Sequence, residues 1–381
     1  MYIVFITETW PPEVNGVALT VYGYAHGLAA RGHRVDVVRP GAADHDGVVP
    51  LLPARGVRIP RYTELRFGLP QYSTLRRRWS SDRPDAIYVA TEGPLGGSAI
   101  RAARSLDIPA VTGFHTRFDD YAGYYGVGLL TSLVRGHLAR FHRRGQLTLA
   151  STDALVAELQ LMGIPNARKL SRGVDTTRFS PEHRDPELRR VWGVGEDTPV
   201  MLCVGRLAAE KNLELALRAY RAVKSQVPAA RLVLVGDGPM REVLTEAQPD
   251  AIFTGAKTGD ELSRHYASAD LFLFPSLTET FGNVVLEAMA SGLAVVAFDR
   301  AAAAEHIVDS HSGLIVHDSD EHGFIHRSCQ AGTDRALRAT LSANARKTAL
   351  CRTPAGVISE LERLLATLSG MPYPGALQAA W

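Results

Sequence analysis

The sequence predicts an α/β protein made of two doubly wound domains. Short apolar runs alternate with longer stretches of helical periodicity, and the runs are continuous rather than alternating, as in strands buried on both faces of a parallel sheet. The series also restarts after Gly173, and 381 residues are enough for two domains at roughly 150 residues each.

In the first series Tyr2–Ile6 is a strand and Val17–Arg31 an amphipathic helix, closed by Gly32-His33. Val35–Val38, Ala86–Ala90, Ala110–Phe114 and Leu147–Ala150 follow as strands, each succeeded by a helical pattern. A loop rich in Pro, Asp and Arg, Arg172–Asp197, leads to the second series: Val200–Val204, Leu232–Val235, Ile252–Thr254, Leu271–Phe274, Ala294–Phe298 and Leu314–Val316. Beyond Ser319 the pattern weakens through a His-, Ser- and Gly-rich stretch at 319–333, and helix resumes at Arg335–Ala349 and Gly356–Leu368. The expected domains are 1–180 and 181–355, with residues 356–381 packing back on the first. In such folds ligands lie outside the carboxyl ends of the strands, so the cleft between two facing domains is the expected site.

Composition excludes several classes. Hydrophobic residues are 46% and charged residues 22%, an ordinary globular mixture. The formal net charge of +2 gives no bulk attraction for nucleic acid, and no nucleic-acid partner is expected. Three scattered cysteines, Cys203, Cys329 and Cys351, form neither a disulfide framework nor a thiolate metal site and suit a reducing cytoplasm. The start, MYIVFITETWPP, lacks the basic region of a signal peptide, and no apolar run approaches the ~20 residues of a membrane span. The expected location is cytoplasmic, with peripheral contact at the inner face of the plasma membrane.

Two constellations carry chemistry. In GRLAAEKN, Gly205 ends a strand and Asn212 caps the helix Leu213–Val223, so Arg206 and Lys211 sit in the loop entering a helix. Two cations at that positive end are unfavourable unless an anion joins them, and a phosphate or diphosphate is the natural guest. A pair of solvated loop cations fits the same spacing. In ETFGNVVLE, Thr280 is the expected N-cap, Glu279 lies at the helix mouth, and Asn283 and Glu287 share a face one turn apart. Carboxylates accept hydrogen bonds from sugar or ribose hydroxyls, and Gly282 lets backbone approach a ligand. A helix-start charge and a buried, paired glutamate are the structural alternative.

Other features are weaker. Gly236-x-Gly238 lacks the third glycine of a dinucleotide fingerprint and reads as a tight turn. Asp44-x-Asp46 and Asp318-x-Asp320 read as solvated charges in polar loops. His115 leaves the end of a strand, where it is either a cleft residue or a satisfied core histidine, and Gly16 follows the first strand. Arg76, Arg77 and Arg78 adjoin Trp79, and Arg135–Arg144 carries four arginines, Arg140, Arg143 and Arg144 among them, and two histidines around Leu138 and Phe141. Such a basic amphipathic surface rests on an anionic leaflet or is simply a solvated helix face.

Taken together, ETWPPEVNGVALT, ATEGPLG, FHTRFDDY, RGVDTTRFSP, GRLAAEKN and the Glu279–Glu287 pair resemble the retaining glycosyltransferases of family 4, which have the GT-B fold. The resemblance runs from residue 1 to about 317. It leans toward the branch of GDP-mannose-dependent α-mannosyltransferases and diacylglycerol glycosyltransferases, including sulfoquinovosyl transferases. It implies a nucleotide-sugar donor, a lipid or glycan acceptor, and no cofactor or divalent metal. Arg206 and Lys211 would hold the diphosphate after Gly205. Glu287 would hold the ribose, and Lys257 would lie near the base. Glu279 and the start of the helix at Phe281, Gly282, Asn283 and Val284 would hold the sugar. Gly16 would leave room for the phosphates, and His115 would face the sugar. By the same resemblance His115, Glu279, Arg206 and Lys211 are the catalytic set. The branch usually has Asn at the position of Arg117 and a glycine-rich turn where Ala301–Ala304 stand. The family is thought to act by front-face attack. Alternatives are a UDP-sugar-dependent diacylglycerol glycosyltransferase, a nucleotide-sugar 2-epimerase, a catalytically silent nucleotide-sugar-binding protein and, last, a nicotinamide dehydrogenase.

Overall fold

The structure is a computed structural model and describes residues 1–13, 15–42, 44–59, 62–115 and 131–372. The chain divides into two compact units, Met1–Ser171 with Pro354–Trp381, and Arg172–Thr353. The sequence reading places that division at residue 180; it lies between Ser171 and Arg172.

Unit 1 is built on β1 (Tyr2–Ile6), β2 (Arg34–Pro40), β3 (Asp44–His45), β4 (Pro50–Ala54), β7 (Ala86–Val89), β8 (Ala110–Gly113), β9 (Leu147–Ala150) and β10 (Ala167–Lys169), in the order β10-β9-β8-β7-β1-β2-β4-β3. A separate hairpin pairs β5 (Gly56–Ile59) with β6 (Tyr62–Gly68). Along β1 the burial alternates between two cores. Ile3 and Phe5 join the side covered by α1 (Gly16–Ala30), and Val4 and Ile6 join the opposite side. Both faces are therefore apolar, which is why the strand reads as one unbroken run. Asn15 caps α1 by accepting from the Ala18 N–H at 2.8 Å. The remaining helices of the unit are α2 (Tyr72–Ser81), α3 (Pro94–Arg104), α4 (Thr131–His142) and α5 (Asp153–Leu161), together with one that arrives from the far end of the chain.

Unit 2 has β11 (Val200–Val204), β12 (Arg231–Val235), β13 (Ile252–Gly255), β14 (Leu271–Phe274), β15 (Ala294–Phe298) and β16 (Leu314–Val316), in the order β13-β12-β11-β14-β15-β16 and parallel throughout. Around it lie α6 (Pro186–Val191), α7 (Leu213–Gln226), α8 (Arg241–Ala247), α9 (Gly259–Ser268), α10 (Asn283–Ala290), α11 (Ala301–His306), α12 (Glu321–Thr333) and α13 (Arg335–Leu350). The last helix, α14 (Pro354–Ser369), belongs to unit 1. Ile358 of α14 rests against Gly27 of α1, where an added Cβ would meet it at 2.5 Å. Glu362 of the same helix accepts from Arg31 at 2.6 Å and lies 2.9 Å from His33 Nε2.

Several expectations are corrected. The loop 172–197 contains α6, whose Arg189 is buried and donates to the Ser268, Gly195 and Thr198 carbonyls. Residues 321–333 form a full helix with Asp320 as its cap, held inward by Phe324, Ser328 and Ala331. Asn212 does not cap with its side chain; it sits at φ +51° between a short 3-10 turn and α7. Thr280 is not the N-cap of the later helix either, which starts at Asn283 behind Gly282 at φ +84°.

Candidate functional site

In unit 2 the chain runs outward from β11 to β12 and β13, then returns to the other side of β11 as β14. Strand order reverses between β11 and β14, the position where doubly wound sheets hold ligands. The loops leaving those two strands are GRLAAEKN and PSLTETFG, so the two constellations, about seventy residues apart in sequence, meet at one crevice. The crevice is lined by Gly205, Arg206, Lys211, Phe274, Pro275 and Ser276, with Cys203, Val204, Leu207, Leu213 and Leu273 behind them.

Backbone packing fixes the first loop. The Gly205 N–H donates to Val235 and the Leu207 N–H to Asp237, at 3.0 and 2.9 Å. Gly236 and Gly238, both at positive φ, allow this: a Cβ on Gly236 would come 1.9 Å from the Gly205 carbonyl oxygen, and one on Gly238 2.4 Å from that of Leu207. The VGDGP segment is thus the tight turn expected, and its role is to seat the Arg206 loop. Gly205 itself has φ +144° and open space where a Cβ would go. Arg206 is exposed and has no ion pair among the described residues.

Lys211 is not a solvated cation. Its Nζ pairs with Glu279 Oε1, and the Ser276 hydroxyl donates to the same oxygen at 3.0 Å. The Leu277 N–H donates to the Glu210 carbonyl at 2.9 Å, closing the two loops on each other. Nothing in the local sequence announces this ion pair. Phe281 is buried against His306, and Gly282 lies on the Phe274 ring, 3.1 Å from where its Cβ would stand. The leading amides of α10, at Asn283 and Val284, belong to the helix end that lacks intrahelical acceptors. Glu287, one turn further, accepts from the Tyr266 hydroxyl at 2.9 Å. Burial pushes its carboxyl up to about 7, against the pull of that hydroxyl and of Arg178. Lys257 is paired with Glu261 at the start of α9.

In unit 1, Gly16 opens α1 with empty space at its Cβ position. His115 is buried, its Nε2 2.9 Å from the Tyr88 hydroxyl, and Gly113 makes room for that contact. Arg117 lies outside the described residues. Arg76, Arg77 and Arg78 are exposed, but Trp79 is buried, so it is not a surface aromatic. On α4, Arg140 faces solvent with Leu133, 68% exposed, and Arg143 and Arg144 are exposed just after it. Leu138, Phe141 and His142 point into the core and do not belong to that surface.

The Asp-x-Asp pairs serve local structure. Asp46 accepts from the Val48 and Val49 amides and meets His26, Asp318 pairs with Arg300, and Asp320 caps α12. Among the described residues no group of three or more His, Cys, Asp or Glu is placed to hold a metal ion, and no helix is long and apolar enough to cross a membrane. A second cavity, of about 490 Å³ and lined by His33, Arg34, Asp36, His45 and Arg78, opens near the amino end of β2, the edge opposite to ligand-binding strand ends.

The family model described as Glycosyltransferase Family 4 matches residues 14–178, and the one described as Glycosyl transferases group 1 matches 198–334. A GDP-mannose-dependent alpha-mannosyltransferase of Mycolicibacterium smegmatis is 35% identical over 372 residues, covering 95% of this chain and 96% of the relative. The chain belongs to glycosyltransferase family 4. An alpha-monoglucosyldiacylglycerol synthase of Streptococcus pneumoniae is 28% identical over 78% of this chain and 71% of the relative. Among solved structures, the sucrose-phosphate synthase of Thermosynechococcus elongatus superimposes with a TM-score of 0.78 at 18% identity, covering 97% of this chain and 99% of that one. The fold is GT-B, and the protein is a glycosyltransferase.

Proposed function

We propose that this glycosyltransferase moves mannose from GDP-mannose, with retention of configuration, to a lipid or glycan acceptor at the cytoplasmic face of a membrane. The observation that carries the donor is the 35% identity, across nearly the whole chain, to a GDP-mannose-dependent alpha-mannosyltransferase.

The difficult step is departure of the nucleoside diphosphate from the anomeric carbon. Negative charge grows on the leaving phosphate while the sugar takes on oxocarbenium character. Arg206, Lys211 and the first amides of α10 bring positive groups to the loops of one crevice, and positive groups placed where negative charge develops stabilise a transition state. They perform the neutralisation that other transferases assign to a divalent ion, so activity is expected without added metal. The Lys211–Glu279 pair gives each member a second role when the donor binds. Lys211 turns toward the diphosphate, and Glu279, released from it, accepts from sugar hydroxyls. Glu287 takes the ribose and Lys257 lies near the base. The departing phosphate oxygen takes the acceptor's proton as the new bond forms on the same face. His115 serves the sugar rather than the nucleotide, so His115→Ala lowers transfer and leaves GDP affinity unchanged.

The exposed arginines at 140, 143 and 144, with Leu133, suit an anionic bilayer surface, where each cation adds about 1 kcal/mol. Arg76, Arg77 and Arg78 are further exposed cations of unit 1. The similarity to a diacylglycerol glucosyltransferase supports a second reading, transfer from a UDP-sugar to diacylglycerol. Incubation with GDP-mannose or UDP-glucose, vesicles holding diacylglycerol, and no added metal separates them. An α-linked mannolipid formed in the presence of a chelator supports the first reading, and a glucolipid alone supports the second. Release of an epimerised nucleotide sugar without acceptor would overturn both.

A further inference from the structure

Of the segments that carry the family resemblance, RGVDTTRFSP at 172–181 has no role in the site described above. It lies in unit 2 and is braced as a strap. The Asp175 carboxylate accepts from the Thr177 and Arg178 N–H groups, both at 3.0 Å, and the Asp175 carbonyl accepts from the Phe179 N–H at 2.8 Å. Arg346 of α13 donates to the Thr176 and Phe179 carbonyls, at 3.0 and 2.8 Å, and to the Ala290 carbonyl at the end of α10, at 2.5 Å. The strap is thereby tied to the helix that carries Glu287.

Phe179 is buried and meets the Tyr266 ring edge-on, with centroids 5.6 Å apart and planes at 88°. Phe272 of β14 stands 5.9 Å from the same ring. Tyr266 is fully enclosed, and its hydroxyl donates to Glu287 Oε2 at 2.9 Å. Oε1 has no hydrogen bond among the described residues, and Glu287 is half-buried rather than sealed. The last torsion of a glutamate is broad, so a carboxylate without a partner turns freely. A bond to one oxygen fixes its plane and leaves the other as an acceptor. Elements packed on α10 also bring Glu305 and His306 of α11 and Arg346 of α13. The groups that act on the charge of Glu287 are Tyr266 and Arg178, both favouring the carboxylate against burial. Burial holds the Tyr266 hydroxyl well above its ordinary value, so it remains a donor throughout the neutral range.

We propose that Tyr266 is a positioning residue of the donor site: held by Phe179 of the strap, it grips Glu287 by Oε2 and leaves Oε1 to receive the ribose hydroxyls of a nucleoside diphosphate. This rests on the reading above that Glu287 takes the ribose, and it names what arranges that carboxylate in advance. An acceptor fixed before the ligand arrives loses less freedom on binding. The preference it creates is for a ribose over a sugar without those hydroxyls, whatever the base.

Calorimetric titration of the full chain compares GDP and UDP with their 2′,3′-dideoxy forms, which lack the hydroxyls that Glu287 would bind. The bound ribonucleotide is expected to exceed its dideoxy form by about tenfold or more in affinity, the usual worth of a hydrogen bond to a charged group. Tyr266→Phe keeps the ring and its packing and removes only the hydroxyl. It should cut that preference to about threefold or less and leave the dideoxy affinity unchanged, whereas a structural fault would weaken both forms alike. With its donor gone, Glu287 ionises at a higher pH, so the rise of ribonucleotide affinity with pH should move upward from about 7 by roughly one pH unit. Phe179→Leu leaves the hydroxyl but removes the ring edge that aims it. That variant should narrow the preference part-way, and it decides the matter if Tyr266→Phe does not fold. Glu287→Gln, which tests the ribose reading itself, should lose both the preference and the pH dependence. An unchanged preference in Tyr266→Phe beside its loss in Glu287→Gln would overturn the positioning role alone, as would equal weakening of both nucleotide forms. Equal binding of ribose and dideoxy forms by the unaltered chain would overturn the ribose reading, and the role of Tyr266 with it.

Discussion

Glu287 shows how one side chain ties burial to ligand chemistry. Its carboxyl stands at about 7 against an ordinary 4.5, chiefly through burial. A carboxyl raised on folding holds more protons folded than unfolded between those values. Its contribution to stability is therefore present at low pH and lost as pH rises through about 7. Urea midpoints measured from about pH 5 to pH 7.5 should fall for the unaltered chain and change less for Glu287→Gln. The ionised form is the stronger acceptor of ribose hydroxyls, so GDP affinity should rise across the same window and lose that dependence in the variant. Lys211→Ala and Glu279→Gln each remove one arm of an ion pair at the crevice. Each should cut transfer by roughly two to three powers of ten while leaving the circular dichroism unchanged. Ala301 occupies φ +50°, a left-handed position that suits glycine. Ala301→Gly should raise stability by up to about 1 kcal/mol in urea unfolding, strain relief exceeding the added chain entropy.

At the scale of elements, the site depends on how neighbouring strands hand their loops to one another. Gly236→Ala places a methyl group against the Gly205 carbonyl, and backbone cannot yield as a flexible side chain can. That variant should lose GDP affinity by tenfold or more, to be read by calorimetry, because the Arg206 loop leaves its seat. Glu362, 3% exposed at its side chain, joins α14 to α1 through Arg31 and His33. Glu362→Ala should cost about 3 kcal/mol, the lower end for a broken buried pair, since Arg31 keeps access to water.

The same scale shows what a sequence makes visible. Tyr2–Ile6 and Val200–Val204 read as strands because apolar side chains fill both faces. β4 is hidden by two prolines in five residues, acceptable where it pairs with β2 near the sheet edge. α12 is hidden because its inward stripe is Phe324, Ser328 and Ala331, too polar and small to mark a helical period. The residue types at the crevice are legible from their position after strands. Their pairing is not, because Lys211 and Glu279 are brought together only by the β11–β14 adjacency. Nor is the anchoring of His142, which reads as part of a basic surface although the core around Phe114 and Phe141 encloses it.

For the whole molecule, the main sheets of the two units each reverse strand order once, and unit 2 gathers at its reversal the cations and carboxylates suited to a nucleotide sugar. The base of the donor nucleotide separates the two readings of the transfer. Isothermal titration of the full chain with GDP and with UDP, in chelator, tests it before any acceptor is known. GDP is expected to bind at least about tenfold tighter than UDP, a gap of roughly 1.4 kcal/mol or more, and Lys211→Ala is expected to lose GDP binding. Tighter binding of UDP, or binding of neither nucleotide by the folded protein, would contradict the GDP-mannose reading.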